Sequence, residues 1–360
     1  MMRSQTNWLL ICLFFGLSPQ VQGALDPDLS INWVTDLPAL EVYQGQTFHQ
    51  GLLWVGKSRT ADHDKHQVEV YSPDGLEKLA SIDLDTPEGR NHSASHIHPY
   101  DQDSVIVTGR SQWPWKTHYS ILSYSQGKIT AEAYTFPEKY QVDQFGGSRD
   151  QMFFTEVGDG TILQHHDMNQ TALRPRISGP GKMLMIDNFL LTIERKSFYQ
   201  GDENVVSINL ETQQATRLFS NHRAGIVDMA DLGDYRLGIA EMKADQVVVM
   251  NLKSQTLTHT LSVPGPGAVE KFGKHCAVAA SEEQRSLHFF DLRQDHDQEI
   301  ARWELASLGT KFRKARQIHV NPDNGQIYLR STYLCTGCNE TMSSVVTVRQ
   351  KSANVWDRCR

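Results

Sequence analysis

A unit of two short apolar strands separated by a polar loop recurs seven times between residue 40 and the C-terminus. First members include Leu52-Leu53-Trp54-Val55, Met152-Phe153-Phe154-Thr155 and Cys276-Ala277-Val278-Ala279. Second members include Val68-Glu69-Val70-Tyr71, Val205-Val206-Ser207-Ile208 and Val247-Val248-Val249-Met250. A period of roughly 40 to 50 residues with at least two strands per period marks propeller blades, each of which buries its faces only against its neighbours. The pattern predicts an all-β chain: a single seven-bladed β-propeller of four-stranded antiparallel blades over residues 41–360. Turn signals such as Pro73-Asp74-Gly75, Gly158-Asp159-Gly160 and Asn321-Pro322-Asp323-Asn324-Gly325 punctuate the repeats.

The N-terminus carries Arg3, an apolar run from Trp8 to Phe15, Pro19, and the small-residue exit Val21-Gln22-Gly23. These are the parts of a secretory signal peptide over residues 1–23, and the run is too short to span a bilayer. Cys12 follows Ile11, a poor fit to a lipoprotein cleavage site. Residues 24–40 read as a lead-in segment, with Pro27 and Pro38 and room for an outer strand. The expected protein is exported, periplasmic or extracellular, with no membrane span. Its net charge is -7 with no block of Lys or Arg, which argues against duplex nucleic acid as a partner.

Four of the five cysteines lie beyond the leader: Cys276, Cys335, Cys338 and Cys359. An even number in an exported chain favours disulfides. A bridge from Cys359 to the Cys335/Cys338 loop would pin the last strand into the ring, leaving Cys276 as a buried thiol or bonded to the remaining cysteine. The rival reading of Cys335-x-x-Cys338 as a redox or metal motif lacks a βαβ context, and Asn339 stands where haem attachment needs His.

The stretches Val247-Val248-Val249-Met250-Asn251-Leu252, Val205-Val206-Ser207-Ile208-Asn209-Leu210-Glu211-Thr212 and His319-Val320-Asn321-Pro322-Asp323-Asn324-Gly325-Gln326-Ile327-Tyr328-Leu329 resemble repeats of the YVTN type of seven-bladed propeller. The resemblance spans most of residues 40 to 358 as a repeat pattern. It implies the fold and leaves the activity open, because similar propellers include lactone hydrolases, cell-surface proteins, nucleic-acid binders and non-catalytic large subunits of amine dehydrogenases.

Aligning the first strands places Lys57, Arg110, Glu156, Glu194, Glu241 and Arg330 at one rim of the central channel. Acids fall on three consecutive blades and bases on three others. Such a rim suits a small polar or zwitterionic ligand, or a divalent metal on its acidic side. His92-x-x-x-His96-x-His98 is a second metal candidate, since His96 and His98 alternate onto one face of a strand; His319 falls at the position of His96 in the seventh repeat. Trp113 and Trp115 flank Pro114 in a polar loop and form a flat apolar platform. No G-x-S-x-G, H-E-x-x-H or P-loop motif is present. The sequence therefore predicts a non-catalytic binding protein that holds a small polar ligand or a protein partner at the channel rim. The alternative is a propeller enzyme, a lactone hydrolase or polysaccharide lyase.

Overall fold

The computed structural model describes residues 28–38, 45–58, 66–85, 92–110, 116–137, 142–156, 160–166, 169–173, 176–195, 203–220, 225–293, 298–305, 307–308, 312, 314–335, 340–352 and 354–360. Seven four-stranded antiparallel sheets make up a seven-bladed β-propeller. The strands legible in the sequence are the second and third of each blade. In blade 6 these are Cys276–Ser281 and Ser286–Asp291, both buried along their whole length. Strands covered on both faces need apolar residues at every position and so read as continuous runs. The outer strands differ: Lys78–Asp83 and Lys128–Thr135 are largely exposed.

Six blades use four consecutive strands, with inner strands Gln46–His49, His96–Pro99, Val142–Ser148, Pro180–Ile186, Ile226–Asp231 and Pro266–Phe272. Blade 7 is composite. Its inner strand Lys314–Val320 is followed by Ile327–Cys335 and Glu340–Gln350, and its outer strand is Leu29–Pro38 from the N-terminal lead-in. The chain's two ends thus close the ring by main-chain pairing.

Arg330 reinforces the closure. It is 2% exposed, and its guanidinium donates to the carbonyls of Gly45 (2.7 Å) and Gly56 (3.1 Å) in blade 1 and to Ser343 Oγ (2.9 Å). Gly45 in turn donates its N–H to Ala94 O at 2.8 Å in blade 2. A Cβ on Gly45 would sit 2.4 Å from Ile97 N, so only glycine lets these backbones approach.

The disulfide joins Cys276 to Cys359, 83 residues apart. This corrects the expected bridge from Cys359 to Cys335 or Cys338. The physical reason is the short helix Asn354–Cys359, which folds the chain end back over blade 6. Lys274 and His275 both donate N–H to Cys359 O, at 2.7 and 3.1 Å, and Trp356 packs edge-on against Phe272. Cys359 does fasten the chain end, but to the sixth blade. Cys335 ends its strand opposite Glu340, and Cys338 lies outside the described residues.

Candidate functional site

Inner strands of propeller blades line the central channel. Alternation along each strand sends successive side chains to opposite faces. Ile97, Val269 and Ile318 enter one set of cores between blades, and their neighbours His98, Glu270 and His319 take the other face, toward the next blade. His98 lies 5.9 Å from the Phe145 ring of blade 3, and Glu270 shares its side of the strand with Ala268 and Phe272 of the core between blades 6 and 7. Lys182 of blade 4 is the common electrostatic neighbour of these three: its charge disfavours protonation of His98 in blade 2 and His319 in blade 7, and favours ionisation of Glu270 in blade 6. Blades 2 and 7 do not adjoin blade 4, so this electrostatic influence acts across the centre of the ring.

A belt of polar contacts joins neighbouring blades around them. Gln144 donates its amide to His96 Nε2 at 2.8 Å, and Lys182 donates to Asp228 Oδ1 at 2.6 Å. Asp228 Oδ2 accepts Val269 N–H at 3.0 Å, and Gln317 Oε1 accepts Gln46 N–H at 3.0 Å.

Desolvation dominates the protonation states. Burial pulls His98 down to about 3, helped by His96, Lys182 and His319. Burial and Lys182 pull His319 down to about 4 against a hydrogen bond to the Gln46 backbone. Burial pushes Glu270 up to about 7, while Lys182 and the Lys271 N–H oppose the rise and Asp228 and Asp231 add to it. At neutral pH both imidazoles are therefore uncharged and Glu270 is near its midpoint. The Nε2 atoms of His98 and His319 are buried and have no hydrogen-bond partner among the described residues. Such orphaned atoms are uncommon in folded proteins, because a buried polar group without a partner costs about 1 to 3 kcal/mol.

A pocket of about 780 Å³ lies on the face of the hairpins that join first to second strands in blades 1, 6 and 7, and of the four groups above its lining contains Glu270. Phe48, Glu270, Lys271, Val320, Asp323 and Trp356 are among its walls. Phe48 stacks on Tyr328 with ring centroids 4.8 Å apart. The turn beneath Phe48 is Gln50-Gly51, both at positive φ (54° and 69°). Such a two-residue turn joins strands tightly.

The residues singled out from the sequence are placed differently. Glu194 is 3% exposed and is held by Asn204 Nδ2 (3.0 Å) and by Arg217 through Nε (2.8 Å) and Nη2 (3.0 Å), all within blade 4. These donors hold its carboxyl below the usual range against the opposing effect of burial. Glu241 is fully buried and accepts from Gln246 Nε2 at 2.5 Å within blade 5. Lys57 pairs with Glu69 of its own blade. Glu156 is buried at the end of its strand, and Arg110 ends the second strand of blade 2. Arg330, placed at the rim by strand alignment, lies instead inside the seam between blades 7 and 1. Trp113 and Trp115 lie outside the described residues.

The triad His92, His96, His98 also needs correction. Both ring nitrogens of His92 are engaged, Nδ1 with Ser93 O (3.0 Å) and Nε2 with Ser120 Oγ (2.8 Å), so it has no lone pair for an ion shared with His96 and His98. Among the described residues no group of three His, Cys, Asp or Glu side chains is arranged to hold a metal.

No family model matches the chain, and no curated protein matches it. Solved structures do. A streptogramin B lyase superposes with a TM-score of 0.60 at 13% identity, covering 89% of this chain and 98% of its own. A selenomethionine-substituted virginiamycin B lyase from Staphylococcus aureus superposes at 0.58 with 14% identity, covering 89% and 99%. A catalytically inactive form of that lyase with quinupristin gives 0.55 at 13% identity over the same shares. At these identities the likeness establishes the seven-bladed propeller and nothing of its chemistry.

Proposed function

We propose that this chain is an exported binding propeller that seats a small polar ligand in the hairpin-face end of its central channel. The carrying observation is the pair of buried, unpartnered imidazole Nε2 atoms of His98 and His319, two groups that share Lys182 as an electrostatic neighbour with Glu270. A pocket of about 780 Å³ lies within the range of small-molecule sites, roughly 300 to 1,000 Å³. Export is supported by the signal-peptide pattern of residues 1–23 and by the Cys276–Cys359 bridge. No described helix is long and apolar enough to cross a membrane.

The test is a thermal-shift screen of polar small molecules against the purified protein and its His319→Phe variant. Ligands of the channel raise the melting temperature of the wild type and lose that effect in the variant. Hits that stabilise both forms equally place binding elsewhere.

A second reading, a propeller enzyme, draws on one observation. Glu270 titrates near neutrality beside two uncharged imidazoles, a pairing suited to general acid–base work. Turnover of a bound hit, followed by mass spectrometry and abolished in Glu270→Gln, would favour it.

A further inference from the structure

We propose, resting on the reading of the hairpin face as the ligand face, that the pocket of blades 1, 6 and 7 takes a zwitterion with an aromatic body, the chemistry of a free aromatic amino acid. The pocket's lining carries charges of both signs that do not neutralise one another. Lys274 and Arg360 stand on the side of blade 6 and the terminal helix, Asp323 on the blade 7 turn, and Glu270 on the inner strand of blade 6. Among the described residues neither the Lys274 ammonium nor the Asp323 carboxylate makes an ion pair or a hydrogen bond, so the two are not in contact with each other; only their backbone N–H groups are engaged. Arg360 gives Nη2 to Asp357 at 3.3 Å in an exposed pair, a contact of small worth. Glu270 accepts the N–H of the next residue, Lys271, at 3.0 Å. The remaining cation, Lys271, turns toward blade 5, where a Cβ added to Gly233 would lie 2.6 Å from its Nζ. Two bases and two acids are thus left to the pocket.

An anion alone would answer Lys274 and Arg360 while facing Asp323 and Glu270, and a cation alone would do the reverse. An uncharged ligand would displace water from all four without replacing it by opposite charge. A ligand that carries both signs answers both sets and brings no net charge into the pocket. Lysine meets a carboxylate as a compact point charge and arginine as a planar fork, while carboxylates accept the N–H groups of an ammonium.

Two aromatic rings in the same lining call for a flat apolar body. Phe48 is half-buried, and its ring is braced by the stack on Tyr328 at 4.8 Å. Trp356 enters from the terminal helix and is fixed between Phe272 and the blade 7 turn, where a Cβ on Gly325 would lie 2.5 Å from its Cε3. The Cys276–Cys359 bridge, and the N–H of Lys274 donated to Cys359 O at 2.7 Å, hold Lys274, Trp356 and Arg360 as one braced unit. Walls fixed before binding lose little conformational freedom when a ligand arrives. Aromatic rings attract one another in offset or edge-on arrangements at centroid separations of roughly 4.5 to 7 Å. A volume of about 780 Å³ admits a molecule of one or two rings.

The experiment is titration calorimetry at pH 7.5 on the purified full chain. The first probes are L-tryptophan, L-tyrosine and L-phenylalanine. Glycine follows, with the amine and the acid that each keep one charge of the tightest binder, tryptamine and indole-3-propionate in the case of tryptophan. The expected result is binding of at least one aromatic amino acid, with glycine and both singly charged counterparts at least fivefold weaker. Lys274→Gln and Asp323→Asn alter exposed side chains, and circular dichroism checks that both variants fold. Each should weaken the amino acid by roughly twofold to fivefold, the worth of one partly exposed ion pair. The counterparts assign the two ends: Lys274→Gln should weaken the acid and spare the amine, and Asp323→Asn the opposite. Binding by none of the three amino acids, or binding as tight or tighter by glycine or a counterpart, overturns the ligand class. If that tighter probe loses affinity in Lys274→Gln or Asp323→Asn, the hairpin face survives as the ligand face while the zwitterion falls. If a probe binds and its affinity is the same in both variants and in His319→Phe, the hairpin-face reading falls with it.

Discussion

Two regions of this ring bury polar side chains, and they treat them differently. At the seam between blades 7 and 1, Arg330 donates to two carbonyls and a hydroxyl, and Gln46 Nε2 donates to Tyr328 O at 3.3 Å while its Oε1 finds no partner among the described residues. In the channel, His98 and His319 keep a buried nitrogen unpartnered and Glu270 sits near its midpoint. Histidine itself makes the contrast. His92 is fully buried and pulled down to about 3 like His98, yet both its nitrogens are bonded. Depressed protonation alone therefore marks burial. The proposed seat rests on a second condition, burial with an unsatisfied atom.

The comparison predicts that closure-region variants cost stability and channel variants cost binding. The largest effect should come from the disulfide. Replacing Cys276 and Cys359 together with Ser opens a loop of 83 residues, and chain entropy sets the loss at about 4 kcal/mol. Urea unfolding of the variant against the oxidised wild type measures it, and an unchanged midpoint would show that the terminal helix holds without the bond. Next comes Arg330→Leu, which leaves the Gly45 and Gly56 carbonyls short of a buried donor. We expect a loss of about 3 kcal/mol in the same assay, with affinity for any channel ligand preserved. A variant that unfolds no more easily but loses ligand would reverse the roles assigned to the two regions.

Much of the fold was legible because the second and third strands of each blade are covered on both faces and must be apolar throughout. The site was not, for a related reason. The inner strands pack against a neighbouring blade on each side, with Met183 in the core toward blade 3 and Ile186 in the core toward blade 5. Pro180–Ile186 and Pro266–Phe272 therefore mix Lys182 and Glu270 with apolar residues in no simple alternation and carry no motif. His96 and His98 were legible by their alternation, and His319 by its repeat position. Lys182 and Glu270 had no such signal, because their significance lies in partners on other blades. Strand alignment erred by attending to the ends of second strands, where charge is common: Glu194 and Lys57 found partners inside their own blades, and Arg330 found the seam. The Cys276–Cys359 pairing was hidden by a helix of six residues, too short to leave a periodic pattern.

The smallest effect is also the most specific to the channel. Burial pushes Glu270 from the ordinary carboxylate range up to about 7, so the folded chain holds a proton that the unfolded chain releases. Below about pH 4.5 both states are protonated and the shift contributes nothing. Between there and pH 7 the unfolded state ionises first, so stability falls as pH rises, and above pH 7 the loss is complete. Glu270→Gln removes that slope: it should match the wild type at pH 4.5 and exceed it at pH 8. Allowing for water reaching a half-buried carboxylate, the gain is about 1 kcal/mol, or roughly 2 to 4 °C in melting temperature. A control at Glu194, whose partners stabilise its ionised form, should move oppositely, with Glu194→Gln less stable than wild type at pH 8. If both variants follow one pH course, then the bonded blade and the unsatisfied channel are not the two electrostatic environments described, and the case for a ligand seat at Glu270 loses its footing.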